Sequence, residues 1–274
     1  MYLSECEFIA FDFETTGTQS RIDRIIEIGA VRFSLDGNIT DQFSTLVNPK
    51  RTISPRAIEV HGITDQDVSK ADEISVVLPK FLSFLDTNSI LIAHNASFDR
   101  SFLAEACKMT GNAPPDHDVI CSLPLCRRAW TDFQNYRLET IGQSLGLIEQ
   151  EAHRGLDDSL LLAKVFNEAV SSLALKTNQE LFQITKPRRV AKLENRLDMA
   201  PLGFELFETA ITSKADMAIQ YGDYSRAFRT VTPETIIDTG NQTYLMAICH
   251  RDGITKQFRF DRIHEFHLIK STND

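Results

Sequence analysis

The first part of the chain contains the run Phe8-Ile9-Ala10-Phe11-Asp12-Phe13-Glu14-Thr15-Thr16-Gly17, an apolar stretch that ends in carboxylates and a glycine. The apolar residues predict a buried strand over Phe8–Phe13. Residues two apart on a strand point to the same face, so Asp12 and Glu14 share a face while the phenylalanines beside them turn to the core. Paired carboxylates repel each other and suit a divalent cation, although Asp-x-Glu alone is also typical of a strand that runs into a solvated acidic turn.

Two later segments also place acidic residues at the ends of predicted elements. Asp99 closes the segment Ala93-His94-Asn95-Ala96-Ser97-Phe98-Asp99, which follows an apolar strand. The segment His153-Arg154-Gly155-Leu156-Asp157-Asp158 opens a long amphipathic helix, with Asp158 about one turn inside it. Taken singly, Asp99 is as well explained as a helix N-cap, the aspartates at 157 and 158 as charges that favour the helix dipole, and the histidine as structural.

Together and in this order, the three segments resemble the motifs of DnaQ-like exonucleases of the DEDDh type. That family carries Asp-x-Glu, then Asp, then a histidine followed five positions later by Asp. The matching residues are Asp12, Glu14, Asp99, His153 and Asp158. The run Ile58-Glu59-Val60-His61-Gly62-Ile63-Thr64 resembles the family's loop beneath the 3′ end of the substrate, and the resemblance covers roughly residues 6–173. Gly155 stands where the family commonly has alanine, so we expect extra room there.

The resemblance implies an RNase H-like α/β fold, with a mixed sheet flanked by helices, and a metal-dependent 3′–5′ exonuclease. It implies that two divalent ions, Mg²⁺ or Mn²⁺, are held by the four carboxylates, and hard oxygen ligands suit both ions. His153 is then the general base that takes a proton from the attacking water. The expected partner is a nucleic acid with a free 3′ end, single-stranded DNA being favoured. Residues expected to bind substrate are Thr15, Thr16, Gly17, Val60, His61 and Phe98, the last being equally explained as a core aromatic.

The texture of the sequence changes in its last third. We assign residues 1–180 to the exonuclease domain, 181–203 to a linker with two prolines and a basic cluster, and 204–274 to a second, small domain. A helix is predicted at Phe204–Thr212. Short strands are predicted at Met217–Tyr221, Ser225–Val231, Thr243–His250 and Thr255–Phe260, with a hairpin turn at Asp252-Gly253.

This second domain resembles a WYL domain. The resemblance is carried by Tyr244-Leu245-Met246-Ala247 and by Lys256-Gln257-Phe258-Arg259-Phe260-Asp261-Arg262-Ile263, although Thr243 stands where the family has tryptophan. It implies a small SH3- or Sm-like β-barrel that binds nucleic acid or a nucleotide-like ligand. The candidate residues for phosphate contacts and base stacking are Tyr221, Arg229, Tyr244, Arg259 and Arg262. Alternatively, the tyrosines fill the core and the arginines line a solvated face.

Composition narrows the choice of function. The net charge is −9, so bound cations or a local basic patch must provide any attraction for phosphate. The five cysteines are odd in number and none forms a Cys-x-x-Cys pair, which indicates reduced thiols. With no signal peptide pattern and no apolar run of the roughly 18 residues that span a bilayer, we expect a cytoplasmic protein without a membrane partner. A processing or DNA repair exonuclease is the leading hypothesis; an exoribonuclease and a regulatory protein acting through the WYL-like domain are the alternatives, and the oligomeric state is left open.

Overall fold

The computed structural model describes residues 1–85, 88–149, 153–192, 198–222, 227–238 and 242–269. The chain divides into two compact units, Met1–Pro49 with Ile53–Leu193, and Lys50–Thr52 with Glu194–Asp274. Parts of three predicted segments lie outside the described residues, namely residues 193–197 of the linker, 225–226 of a strand and 270–274 of the second domain. Across the described residues, no helix combines the length and the apolar character that a membrane span requires.

The first unit is built on a mixed sheet, as the sequence predicts. Its described strands are β1 (Phe8–Thr15), β2 (Ile25–Phe33), β3 (Ile39–Leu46), β4 (Ile90–Ala93) and β5 (Val119–Cys121). They lie in the order β3-β2-β1-β4-β5, with β4 and β5 parallel to β1 and the other pairings antiparallel. The described helices are α1 (Pro55–His61), α2 (Asp65–Val68), α3 (Ile74–Phe84), α4 (Ser97–Thr110), α5 (Ser122–Ala129), α6 (Leu138–Ser144), α7 (Gly155–Ser172) and α8 (Asn178–Thr185).

Strand β1 separates two hydrophobic cores by its alternation. On one face Phe11 packs against α3, with ring centroids 6.2 Å apart between Phe11 and Phe81. On the other face Phe8 packs against α7, with ring centroids 5.0 Å apart between Phe8 and Phe166. Positions 12 and 14 have the parity of Phe8, so both carboxylates turn toward the α7 side.

Helix α7 brings a third carboxylate to the same place. Residues 158, 162 and 166 are spaced four apart and therefore lie along one helix face. Leu162 and Phe166 are buried in the core against β1. Because Phe166 packs near the start of β1, the N-terminal turn of α7 lies near its end, and Asp158 meets the β1 carboxylates there.

Helix α8 extends across the predicted domain boundary at residue 180. Residues 181–185, assigned to the linker, belong to α8, whose Leu181 is fully buried. The helix begins at a capping box in which Thr177 accepts from the Glu180 amide and the Glu180 side chain accepts from the Thr177 amide. The short length of the helix and the prolines that follow hid this signal.

The second unit consists of α9 (Leu206–Ser213) and an antiparallel sheet. Its described strands are β6 (Met217–Tyr221), β7 (Phe228–Asp238), β8 (Thr243–Cys249), β9 (Ile254–Arg259) and β10 (Ile263–Leu268), in the order β10-β6-β7-β8-β9. The predicted hairpin is present, and the Gly253 amide donates to the Cys249 carbonyl across 2.7 Å. Strand β7 continues beyond the predicted end at Val231, because a register shift between Pro233 and Thr235 accommodates the proline.

Candidate active site

Three of the predicted metal ligands form one cluster. Asp12, Glu14 and Asp158 each present a carboxylate oxygen such that these oxygens all lie within 4.8 Å of one another. Asp12 and Glu14 are half-buried at the end of β1, whereas Asp158 is only 7% exposed. Ionised carboxylates at this separation repel one another, and a bound cation would relieve the repulsion.

The surroundings of Asp158 fit a divalent cation. Its Oδ1 atom is buried and has no hydrogen-bond partner in the part of the chain that the structure describes. Burial raises the pKa of Asp158 to about 7, and the neighbouring charges of Asp157, Glu27 and Glu139 add to the effect. Hard cations such as Mg²⁺ and Mn²⁺ prefer carboxylate oxygens, and Asp158 contributes such a group to the three-residue cluster.

Asp99 contacts the backbone between Asp12 and Glu14. It is 1% exposed, and its Oδ1 accepts a hydrogen bond of 3.3 Å from the Phe13 amide. The pairing of β1 with β4 ends at Ala10, so Asp99 at the start of α4 satisfies an amide of β1 that no strand reaches. Burial raises the pKa of Asp99 to about 7, opposed by the amide hydrogen bonds that it accepts. Asp99 therefore fixes the end of β1 between the other two acidic residues, but it is not part of the three-carboxylate cluster.

His153 directly precedes the first turn of α7 in an unusual backbone conformation. Its φ angle is +45°, in the left-handed region that costs a residue with a side chain about 1–2 kcal/mol. The next residue, Arg154, forms an ion pair with Glu27 of β2, with 2.6 Å between Nη2 and Oε1. A strained backbone conformation of this kind persists only where surrounding contacts hold it. The backbone conformation of His153 in turn fixes the direction of its side chain.

Gly155 does not add room, contrary to our expectation from the family. A Cβ atom on Gly155 would lie 2.9 Å from the Gly29 amide nitrogen and 3.2 Å from the Asp12 carbonyl oxygen. A Cβ atom on Gly29 would in turn overlap the backbone of Gly155. The two glycines thus allow the first turn of α7 to approach β1 and β2 closely.

A cavity of about 540 Å³ opens onto the carboxylates. Of the residues predicted to bind substrate, those that line it are Thr15, Gly17, Val60, His61 and Phe98, together with the carboxylates of Asp12, Glu14 and Asp158. Thr16 instead points into the turn that follows β1, where its hydroxyl lies 3.2 Å from Asp23 and accepts from the Arg24 amide. Phe98 both lines the cavity and packs on Phe102, at 4.8 Å between ring centroids.

His61 and Val60 serve the cavity differently. The His61 Nδ1 accepts from the Ile63 amide at 3.0 Å, and its Nε2 lies 3.3 Å from the Thr15 carbonyl, so backbone groups engage both ring nitrogens. This arrangement fits a neutral ring, and burial lowers the pKa of His61. Val60 is 54% exposed at the cavity wall, which leaves its side chain as an apolar surface for a ligand.

Two charged residues of this region, Arg56 in the cavity and Glu27 beside it, were not predicted from the sequence. Arg56 lies in the first turn of α1, is exposed, and has no ion pair or hydrogen bond to the described residues. The signal for α1 was present, since Ser54 caps the helix and Pro55 begins it, but the helix is too short for hydrophobic periodicity. Glu27 gave a clearer signal, because it is a charged residue flanked by isoleucines within an apolar strand.

In the second unit, two of the five predicted ligand residues, Arg229 and Arg259, contact a third, Tyr221. The Arg229 guanidinium carbon lies 5.7 Å from the Tyr221 ring centroid, and its Nε is buried without a hydrogen-bond partner among the described residues. Arg259 is held by Asp261, with 2.6 Å between Nη2 and Oδ2, and its amide donates to the Tyr221 hydroxyl. Tyr244 pairs with Arg259 across β8 and β9, while Arg262 is exposed in the turn that follows.

The comparisons with known proteins agree with this geometry. Residues 9–166 match the family model described as Exonuclease (RNase_T), which is more than half of the chain, and residues 204–268 match that of the WYL domain. The protein therefore belongs to the DnaQ-like exonuclease family and carries a C-terminal WYL domain.

Its curated relatives are much longer proteins. The PolC-type DNA polymerase III of Thermotoga petrophila is 37% identical over 195 residues, which are 71% of this chain and 14% of the relative. The corresponding protein of Clostridium perfringens is 39% identical over 159 residues, 58% of this chain and 11% of the relative. The chain thus spans a small fraction of these relatives.

Solved structures show the same RNase H-like fold. Exonuclease X in complex with 5′ overhanging duplex DNA has a TM-score of 0.52 and 28% identity, covering 65% of this chain and 98% of its own. Escherichia coli exonuclease I in complex with a dT13 oligonucleotide has a TM-score of 0.59 and 15% identity, covering 89% of this chain and 55% of its own. The likeness to these two structures is one of fold.

Proposed function

We propose that the chain is a metal-dependent 3′–5′ exonuclease that removes single nucleotides from the 3′ end of single-stranded DNA. One observation carries the proposal: the carboxylates of Asp12, Glu14 and Asp158 converge at the floor of a cavity whose wall is apolar at Val60. An apolar wall beside an anionic floor suits a nucleobase next to a cation-bound phosphate.

The reaction needs a water molecule, a base and compensation of phosphate charge. Divalent cations at the carboxylates supply charge compensation and activation of the attacking water. We propose that Asp12, Glu14 and Asp158 hold these cations. Asp99 keeps the end of β1 in place and is the fourth carboxylate of the metal site. His153 accepts the proton of the attacking water. The water oxygen bonds to phosphorus as the bond to the 3′ oxygen breaks, and the 3′ oxygen takes up a proton from the solvent. The products are a 5′-mononucleotide and a shortened strand with a new 3′ hydroxyl.

The names of the relatives and of one structural neighbour favour DNA as the substrate. The relatives at 36–39% identity are DNA polymerases by name, and the structural neighbour at 28% identity was solved with DNA. A role in DNA repair would follow from such an activity. An exoribonuclease or a regulatory binding protein would give different results in the assay below.

The test is a cleavage assay on 5′-labelled single-stranded DNA and RNA of the same sequence, with Mg²⁺, Mn²⁺ or EDTA. We expect a metal-dependent ladder that shortens from the 3′ end, faster on DNA, and lost in Asp12→Ala and His153→Ala. Circular single-stranded DNA serves as the matched control and should stay intact. Cleavage of the circular DNA would contradict an enzyme that acts at strand ends. Faster degradation of RNA than of DNA would make RNA the preferred substrate, and binding without cleavage would favour the regulatory alternative.

We further propose that the WYL domain binds a second nucleic-acid or nucleotide ligand through the residues around Arg229. The support is a guanidinium group that lies within 5.9 Å of two ring centroids and whose Nε has no hydrogen-bond partner in the described part of the chain. Arg259, by contrast, is already neutralised by Asp261. Binding of a short oligonucleotide to the full chain, measured by fluorescence anisotropy in EDTA over a salt series, tests this proposal.

A further inference from the structure

Glu27 is a buried carboxylate that the proposed chemistry does not use directly. It lies in the middle of β2 and is only 2% exposed. Both of its oxygens lie 3.1 Å from the Arg154 Nε, Oε1 also accepts from Nη2 at 2.6 Å, and Oε2 accepts from the Gly155 amide at 2.9 Å. One side chain of the sheet thus holds two consecutive residues, which directly follow His153.

The Gly155 amide is one of the donors that helix geometry leaves unsatisfied at the start of α7. The N-cap residue Arg154 has no side-chain capping bond to the helix. Glu27 therefore caps α7 from the neighbouring sheet, with a negative charge at the end of the helix that favours it. The Ser159 hydroxyl, 3.0 Å from the Gly29 carbonyl oxygen, attaches the next turn of the helix to the same strand.

The position of Glu27 also explains why it is not a metal ligand. It lies directly opposite Glu14 in the pairing of β1 with β2, so the two side chains share a face of the sheet. Like charges in that arrangement repel each other. Arg154 neutralises Glu27 and occupies its oxygens, whereas Glu14 joins the cluster of three carboxylates.

We propose that Glu27 is a positioning residue for hydrolysis, which holds the Arg154–Gly155 backbone so that His153 is directed at the scissile phosphate. The inference rests on the proposed role of His153. The geometry supports it, because His153 has a left-handed backbone and Glu27 holds the two residues that follow. Glu27 acts through the histidine rather than by touching the substrate.

The experiment is a double-mutant cycle on the full chain, with kcat and KM measured for single-stranded DNA at saturating Mg²⁺. Glu27→Gln keeps the shape of the side chain and removes its charge. We expect kcat to fall roughly 10- to 100-fold with little change in KM, as for other residues that orient catalytic groups. In a His153→Ala background the same substitution should cause almost no further loss, because its effect is transmitted by the missing histidine.

Glu7→Gln is the matched control. Glu7 forms an ion pair with Arg32, which lies in β2 like Glu27 but does not line the cavity, so this substitution should leave kcat unchanged. If the losses of Glu27→Gln and His153→Ala multiply instead, Glu27 does not act through the histidine and the inference is overturned. If His153→Ala keeps the full rate, His153 is not the general base, and that part of the proposed function fails. Should Glu27→Gln not fold by circular dichroism, Arg154→Lys, which loses the fork but keeps the charge at a half-exposed site, enters the same cycle.

Discussion

Asp158→Asn should stabilise the metal-free protein at pH 8 and not at pH 5. Asp158 is 7% exposed, and its pKa is raised from 3.8 to about 7. A carboxyl whose pKa is raised on folding contributes stability that is complete below pH 3.8 and is lost as the pH rises through about 7. The wild-type protein without metal should therefore lose stability over this window, whereas asparagine does not titrate.

The magnitude follows from the same shift. Between pH 5 and the folded pKa of about 7 lie roughly two units, and each unit corresponds to about 1.4 kcal/mol. The stability of Asp158→Asn relative to wild type should thus change by about 3 kcal/mol between pH 5 and pH 8. An asparagine with an unsatisfied amide would cost about 1–3 kcal/mol, but equally at both pH values, so the difference is unaffected.

The assay is urea unfolding in EDTA at both pH values, followed by the fluorescence of Trp130, the single tryptophan, which lies in the nuclease unit. Asp157→Asn is the matched control, because Asp157 is adjacent in sequence but exposed; since this variant keeps Asp158, its stability should fall between pH 5 and pH 8 nearly as much as that of the wild type. A difference below about 1 kcal/mol for Asp158→Asn, with a two-state transition, would refute the reasoning. The charge of Asp158 would then already be compensated, and the argument for a cation beside it would fail.

Three further predictions follow from the described contacts. The half-saturating Mg²⁺ concentration, measured by calorimetry, should rise about 100-fold from pH 8 to pH 5, since Asp158 must lose its proton to bind metal; an equal affinity at both values would contradict the ligand assignment. Arg56→Ala should raise KM about tenfold in steady-state assays and leave kcat nearly unchanged, because its charge, which no described residue neutralises, lines the cavity that we propose for the phosphate; a fall in kcat alone would argue against phosphate binding. Arg229→Ala should weaken oligonucleotide binding in EDTA and flatten its salt dependence more than Arg259→Ala does; the reverse order would place the ligand elsewhere.

The residues with regular periodicity were the ones that the sequence revealed. The two-residue period of β1 placed Asp12 and Glu14 on one face, and the four-residue spacing of α7 placed Asp158 above its core residues. Both patterns are local, so they can be read without knowing the fold. The capping box at Thr177 and the helix that begins at Pro55 are also local, but each covers too few residues for hydrophobic periodicity to identify it.

Tertiary packing decided the features that the sequence did not reveal. Gly155 was expected to leave space, but its distance from a neighbouring strand depends on Gly29, and nothing in the local sequence relates the two. Thr16 follows Thr15 directly, yet only Thr15 lines the cavity, because the turn after β1 rotates the next side chain toward Asp23.

A charged residue within a buried strand predicts a buried partner, but the neighbouring sequence does not identify that partner. Glu27 stands among isoleucines, so the sequence alone indicates that it has a buried partner. That partner, Arg154, is 127 residues away and beside the proposed base. Glu14 and Glu27, which face each other across two strands, are therefore separated in role by what lies next to them: an arginine neutralises one, which leaves the other for a cation. The same arginine that prevents Glu27 from binding metal also lets it fix the start of α7, so neutralisation and positioning are a single contact.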